Sequence, residues 1–443
     1  MKMLRNLRLP AVAVAATGVF FTMNLRPAGA ENPPANVAVA PAAEAINALG
    51  LDLQRQLTAA DPHANLCLAP FSLQSALAMT FAGADGATRA EMARVLHFPA
   101  EGDATPLHAS FQALGKTLDE LAARSGERAK KAKELGGPTE PITVTVANRL
   151  FVKTGFALKP MFLALVGKFY DAQPASLDFG ANPAGAAREI NGWVASRTRD
   201  RIRDLVPADA LKADTRLVLV NALYLKAPWA TEFSAAATKP EPFQVHGGAP
   251  VPVPTMQAQR HGFGYAKKEG FTAVSLPYSD YDLQFLVLLP DAPDGLAALE
   301  KKLTPAVLAE CAALPAEREV RLFLPKFKQE PPTVDVGTAL QALGMRQAFD
   351  QPQGSADFSG MAPRLPNAYL AISQVLHKTF LSIDEKGTEA AAATAVIMMR
   401  AGSAMRPPPE EPVEVRVDRP FFYAIQHRPS RACLFVGRVT DPR

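Results

Sequence analysis

His377 to Gly387 reads His-Lys-Thr-Phe-Leu-Ser-Ile-Asp-Glu-Lys-Gly, an alternating apolar run with the pattern of a central strand. It runs straight into Gly387-Thr-Glu-Ala-Ala-Ala-Ala-Thr394. Strands favour branched and aromatic residues and are poor in alanine, so a strand that meets such a tract can stop there or continue. If it continued, Thr388, Ala390, Ala392, Thr394 and Val396 would share one face. That face carries only small side chains as far as Val396, so it could slip into an existing sheet without clashes. The same residues also suit an Ala-rich loop or a short helix, because alanine is the best helix former. Composition alone leaves all three open.

The chain begins with Lys2, Arg5 and Arg8, then an apolar stretch from Leu9 to Met23, then Pro27-Ala-Gly-Ala30. A basic start, a short apolar segment and small residues at a cleavage position are the pattern of a secretory signal peptide over residues 1–30. The apolar stretch is short for a membrane span, and no later stretch reaches that length, so export as a protein without a membrane anchor is expected. Residues 31–43 are rich in Pro and Ala and are expected to form a disordered leader. About 400 residues remain, which is large for a single core. The best candidate linker, Arg124 to Pro138, is too short to separate domains and reads as a surface loop or a helix end.

Three cysteines, Cys67, Cys311 and Cys433, do not make a disulfide framework. Cys67 and Cys433 lie in apolar runs and are expected to be buried, with Cys311 more exposed. A net charge of +4 is mild for this length and gives no reason to expect a nucleic acid partner. The 39 prolines multiply turns and sheet edges.

Ile46, Leu49, Leu53 and Leu57 recur at helical spacing. Ser72 to Phe81 reads as a second helix with Ser72 near its cap, and Thr88-Arg-Ala-Glu91 has the capping-box pattern. Strand-like runs follow at 142–152, 217–225, 283–289, 321–324, 413–417, 421–426 and 433–439. Helices early and strands late give an α+β fold rather than a repeating βαβ unit.

Catalytic signatures are missing. The histidines lack metal spacing, and no Cys-x-x-Cys, Gly-x-Ser-x-Gly or Gly-x-Gly-x-x-Gly occurs in a suitable setting. A catalytic dyad assembled from distant residues has no positive support, and no cofactor is expected. Asn221 and His377 each interrupt an apolar strand-like run, which suits a buried, hydrogen-bonded structural pair. The basic runs 124–133 and Arg197, Arg199, Arg201 and Arg203 are interleaved with acidic residues, which suits solvated faces better than a polyanion site.

Taken in order, the segments resemble the serpin family over nearly the whole chain from Ile46. The blocks are Asn65-Leu-Cys-Leu-Ala-Pro-Phe-Ser72 with Gly86-Ala-Thr88, Thr145-Val-Ala-Asn148-Arg-Leu-Phe151, and Ile190-Asn-Gly-Trp193. Leu219-Val-Asn221-Ala-Leu-Tyr-Leu-Lys226 leads to Trp229, then Leu324-Pro-Lys-Phe327, Leu343-Gly-Met345 and Ala356-Asp-Phe-Ser-Gly-Met361 follow. Asp418-Arg-Pro-Phe-Phe422 and Leu434-Phe-Val-Gly-Arg-Val439 complete the order.

The resemblance implies one domain over residues 44–443: helices around a central, mostly antiparallel sheet, two further sheets, and an exposed reactive loop at about 385–412. It implies an irreversible inhibitor rather than an enzyme. A target serine protease would attack the loop, form a covalent acyl complex, and be trapped as the loop inserts into the central sheet. The inhibitor would be a secreted monomer, extracellular or periplasmic, with no nucleic acid or membrane partner. Glu385, Gly387, Thr388, Glu389, Ala390, Ala391, Ala392 and Ala393 match the hinge of that loop. Ser72, Asn221 and His377 match the shutter that gates sheet opening, and Trp229 matches the breach where insertion begins. Ala69 stands where the family commonly has serine.

Spacing from Glu385 puts the reactive bond between Ala401 and Gly402, which suits an elastase- or subtilisin-like target. Arg400 would suit a trypsin-like enzyme, and Met399 a chymotrypsin-like or broad one. Counting back from Pro420 disagrees, because 403–412 contains an apparent insertion with Arg406-Pro-Pro-Pro-Glu-Glu-Pro. Arg406 is disfavoured as a cleavage site because Pro407 follows. Inhibition of papain-like cysteine proteases and a non-inhibitory carrier role stay open, although the hinge has none of the bulky or Pro residues the latter would favour.

Overall fold

The structure, a computed structural model, describes residues 39–134, 140–207, 209–245, 247–389 and 411–443. Helix α1 spans Ala40–Ala60 and buries Ile46, Leu49 and Leu53 as their spacing requires. It begins earlier than expected. Ala40 to Ala43 are its first turn, and Ala42 and Ala43 are buried, so the leader cannot extend to residue 43. Pro41 supplies the reason, since its fixed φ suits the first helical positions.

Two helix starts also move. Helix α2, Pro70–Phe81, starts at Pro70 with Ala69 at its cap, so Ser72 lies inside the helix rather than capping it. Helix α3, Gly86–Val95, is capped by Asp85, whose side chain accepts from the Gly86 N–H. Thr88 and Glu91 bond elsewhere: the Thr88 hydroxyl accepts from Asp357 N–H (2.9 Å), and the Glu91 carboxylate accepts from the backbones of Arg346 and Gln347. A capping-box spelling was therefore spent on tertiary contacts.

Helix α4, Thr105–Glu134, absorbs the basic run 124–133 as a helix end. Helices α5, Pro160–Tyr170, and α6, Pro183–Arg197, follow.

The described strands form three sheets. The central one holds β2 (Thr143–Lys153), β3 (Ala175–Leu177), β4 (Leu217–Pro228), β11 (Phe327–Gln329), β12 (Val334–Asp335), β13 (Ile372–Thr379), β14 (Leu381–Asp384) and β15 (Gly387–Thr388). β2 runs antiparallel to β4, and β13 runs parallel to β4 with His377 opposite Asn221. A second sheet runs β1 (Leu66–Leu68), β18 (Ala432–Val439), β17 (Phe421–His427), β9 (Leu283–Pro290), β8 (Phe271–Pro277), β7 (Gly264–Lys268). The third runs β16 (Val413–Arg416), β10 (Val320–Pro325), β6 (Val251–Arg260), β5 (Lys239–Phe243).

The α+β class is thus as expected, with the strand runs at 142, 217, 283, 321, 413, 421 and 433 all recovered. One face of the central sheet joins the main core with α1, α2 and the second sheet. The other face packs on α6, where Phe151, Val218 and Val220 meet Ile190 and Val194. β9, β17 and β18 are buried at every position, as continuous apolar runs with both faces covered must be. All three cysteines are free and buried. That corrects the exposed Cys311: it ends a short helix with its side chain turned inward, and burial pushes its thiol up to about 11.

Candidate functional site

The parallel β4–β13 ladder brings Asn221 and His377 side by side, and α2 lies across them. Ala69 N–H donates to His377 Nε2 at 3.1 Å. That nitrogen is therefore an acceptor, so Nδ1 carries the proton and donates to Asn221 Oδ1 at 2.6 Å. Asn221 Nδ2 donates onward to Ser72 Oγ (2.6 Å) and to Asn148 Oδ1 (2.7 Å). Ser72 Oγ also donates to Asn148 Oδ1 (2.7 Å), and Asn148 Nδ2 donates to the Ser72 carbonyl (3.0 Å).

One buried network therefore ties β2, β4, β13 and the first turn of α2. Asn221 and His377 form the structural pair expected of them, with Ser72 beside them. Asn148 is the member sequence reasoning passed over. It stands on β2 directly opposite Asn221, a register that only the folded sheet reveals. Ala69 makes the His377 contact through its backbone N–H, so the contact needs no side chain at that position.

Burial pushes the His377 imidazole down to about 3, against the Asn221 hydrogen bond, which raises it. A neutral ring is what the network needs, because a second ring proton would confront Ala69 N–H. Around it, no acid offsets this cost: every partner in the network is a neutral amide, hydroxyl or backbone group.

The seam between β4 and the β13–β14 run forms a slot, closed below by the β4–β13 ladder, and at its top the chain turns sharply after β14. Asp384 Oδ1 accepts from the N–H groups of Lys386 (2.8 Å) and Gly387 (3.3 Å). The two residues of β15 then wedge between β14 and β4, with Thr388 opposite Ile383 on one side and Ala227 on the other. Gly387 sits at φ 149°, and a Cβ there would lie 2.1 Å from the Ala227 carbonyl oxygen. Only glycine fits this approach. Thr388 is buried, and its hydroxyl shares a 2.5 Å hydrogen bond with Tyr278.

Trp229 fastens this turn from below. Its backbone N–H donates to the Lys386 carbonyl (2.9 Å), and its indole Nε1–H donates to the Asp384 carbonyl (2.8 Å). The indole stacks on Tyr278 with centroids 4.7 Å apart. Glu385 accepts from Thr238 Oγ1 (2.8 Å) and pairs with Lys326 (2.7 Å). Burial opposes its charge, but these donors and its own backbone together hold the carboxyl below its ordinary range.

Glu389 has φ 48°, donates its N–H to Ser382 O (2.9 Å) and pairs with Arg201. Burial raises its carboxyl all the same, with Arg201 opposing. Arg201 keeps the solvated face expected for its run and from there reaches the buried Glu389, while Arg203 pairs with its neighbour Asp200.

Glu385, Gly387, Thr388, Glu389 and Trp229 thus meet at one end of the slot, and Ser72, Asn221 and His377 at its middle. Ala390, Ala391, Ala392 and Ala393, and the four reactive-bond candidates Met399, Arg400, Ala401 and Gly402, lie outside the described residues. Among the described residues no cluster of His, Cys, Asp or Glu could hold a metal ion.

The family model described as serpin (serine protease inhibitor) matches residues 44–442. The leukocyte elastase inhibitor of Bos taurus is 37% identical over 399 residues, covering 88% of this chain and 97% of that protein. The solved structure of Serpin48 from Tenebrio molitor, titled as a highly specific serpin, aligns with TM-score 0.70 at 30% identity, covering 90% of this chain and 97% of that one. Cleaved Serpin 42Da aligns with TM-score 0.73 at 30% identity, covering 92% and 100%.

Proposed function

This chain belongs to the serpin (serine protease inhibitor) family, and from that membership we propose that it is a suicide substrate whose cleaved loop inserts into the central sheet. The family makes it a protease inhibitor and not a catalytic enzyme. The observation that carries the finer reading is the wedge at Gly387–Thr388. Two residues of the loop's first end already pair between β14 and β4, while β4 and β13 close the slot beneath them.

Insertion extends that pairing. Carried on residue for residue, the β15–β4 register sets Ala390 opposite Leu225, Thr394 opposite Asn221 and Met398 opposite Leu217. The β14–β15 register, carried on into β13, sets the same Thr394 opposite His377. The two flanking ladders agree, so one strand satisfies both edges of an opened slot. Thr388, Ala390, Ala392, Thr394 and Val396 then share the inward face, where only small side chains pass the network of Ser72, Asn148, Asn221 and His377.

In the reaction, the protease serine oxygen attacks the Ala401 carbonyl carbon. The Ala401–Gly402 peptide bond breaks, the Gly402 amine leaves with a proton, and Ala401 stays esterified to the enzyme. Hydrolysis of that ester would free both proteins. Insertion that carries the enzyme away before water attacks leaves it trapped. The small side chain at Ala401 favours an elastase-like target, and the resemblance to a leukocyte elastase inhibitor supports the same class. The basic, then apolar, opening segment supports secretion, and among the described residues no helix is long and apolar enough to cross a membrane.

The test is incubation with elastase, subtilisin, trypsin and a papain-like enzyme. A complex that survives denaturing electrophoresis with elastase or subtilisin, and a released fragment beginning at Gly402, are the expected results. A fragment beginning at Ala401 reassigns the bond to Arg400 and a trypsin-like target. Cleavage by every protease without a complex defeats the inhibitor reading.

A further inference from the structure

β5 is the outer strand of the third sheet, and an outer strand ordinarily exposes unpaired N–H groups that invite another chain. Here the ladder sets Pro240 opposite Pro254 and Pro242 opposite Pro252. Proline has no N–H, so these can only be the pairs whose backbone groups point away from the partner strand. The hydrogen-bonded pairs are then Lys239 with Thr255, Glu241 with Val253 and Phe243 with Val251.

It follows that the outward positions of β5 are 240 and 242, and neither has a donor. The flanking N–H groups are also used within the chain: Thr238 donates to Ala235 O (3.2 Å) and Gln244 to Asp418 O (2.7 Å). The opposite flank repeats the arrangement. Pro252 and Pro254 of β6 face the side on which β10 lies, and the β10 ladder stops at Thr255 opposite Pro325. Pro250 continues the same alternation ahead of β6. All four facing prolines are exposed, so packing does not require them. Phe243 and Val253, on the other face of the same strands, are buried and hold the hairpin in place.

We propose that the β5–β6 end of this sheet is a donor-free edge that refuses strand addition by an extended segment of a second copy of the chain. Strand addition draws its affinity from main-chain hydrogen bonds, and an edge without N–H groups offers only half of them. The inference needs only the pairing register and the chemistry of proline, so it stands whether or not the loop inserts.

The test is Pro240→Thr/Pro242→Thr in the full chain, compared with the unsubstituted protein by size-exclusion chromatography across concentration and by hydrogen exchange. Two restored donors should tighten self-association about tenfold or more. The restored amides of 240 and 242 should exchange slowly in the associated form and rapidly in the monomer. A folded variant that associates no more than the parent overturns the proposal. If the double variant does not fold, Pro242→Thr alone is read by the same exchange. Complex formation with the target protease should be unchanged, which separates this result from any failure of the inhibitor reading.

Discussion

At position 387 the chain has no latitude. The gap between β14 and β4 is too narrow for a Cβ, and the φ of 149° lies where L side chains rarely go. Gly387→Ala should therefore expel the two-residue wedge, at a cost of about 1–3 kcal/mol. Trp229 reports it, because both of its N–H groups bond to the turn that would move. The expected outcome is a change in indole fluorescence with little change in overall secondary structure. Under the proposed insertion, Thr388 would answer to a kinetic demand instead. Thr388→Arg would bring a charge into a buried site against Tyr278, so insertion should slow and the variant should be cleaved as a substrate with a higher stoichiometry of inhibition. A covalent complex at the parent's stoichiometry would contradict that.

His377 sets a pH dependence with a definite sign. Its folded value of about 3 lies below the ordinary histidine value of about 6.5. The unfolded chain therefore binds the extra proton first, and stability present above about pH 6.5 is lost as the pH falls toward 3. His108 and His427, each pushed down to about 4, act in the same window. Thermal midpoints should fall on acidification, and His377→Gln should reduce that fall without abolishing it. An unchanged slope would remove His377 from the account. Asn221→Ala should lower stability by about 2–4 kcal/mol, since it strands His377, Ser72 and Asn148 at once.

The elements explain why some of this was legible in the sequence and some was not. Strands buried on both faces, such as β9 and β17, announce themselves as unbroken apolar runs. β5 and β6 do not, because alternate prolines hide the strand pattern behind a turn-like composition. Helix α3 looked as if it began with Thr88, yet that hydroxyl serves Asp357, so a local spelling had been taken over by a distant contact. Within the site, Asn221 and His377 stood out as polar residues in apolar strands. Asn148 was quiet because β2 is only partly buried around it, so a polar residue there raised no alarm. The wedge at Gly387–Thr388 was beyond reach, since its register depends on β4 and β14 meeting around it.

At the scale of the molecule, the central sheet is closed by the parallel β4–β13 ladder and yet carries a strand's beginning at its open end. On the proposed mechanism, a slot whose two edges share one register with the same inserting strand would make this a fold held short of its most paired state. The shutter network would act as the local restraint on that step, so stability before insertion is a matter of rate as well as of free energy. The buried Arg438–Glu300 pair ties β18 to the short helix Leu296–Lys302, and Arg438 also donates to the carbonyls of Asp61 and Ala64 just after α1. That lock lies in the second sheet, away from the slot, and should persist through insertion.

The most direct measurement is the thermal unfolding of the intact protein beside the same protein nicked once in its loop by a protease it does not trap. If the loop inserts, the nicked form gains a strand paired on both edges, and its midpoint should rise well above that of the intact form. A nicked form that unfolds at or below the intact midpoint would mean that the slot stays closed, and the central claim would fail.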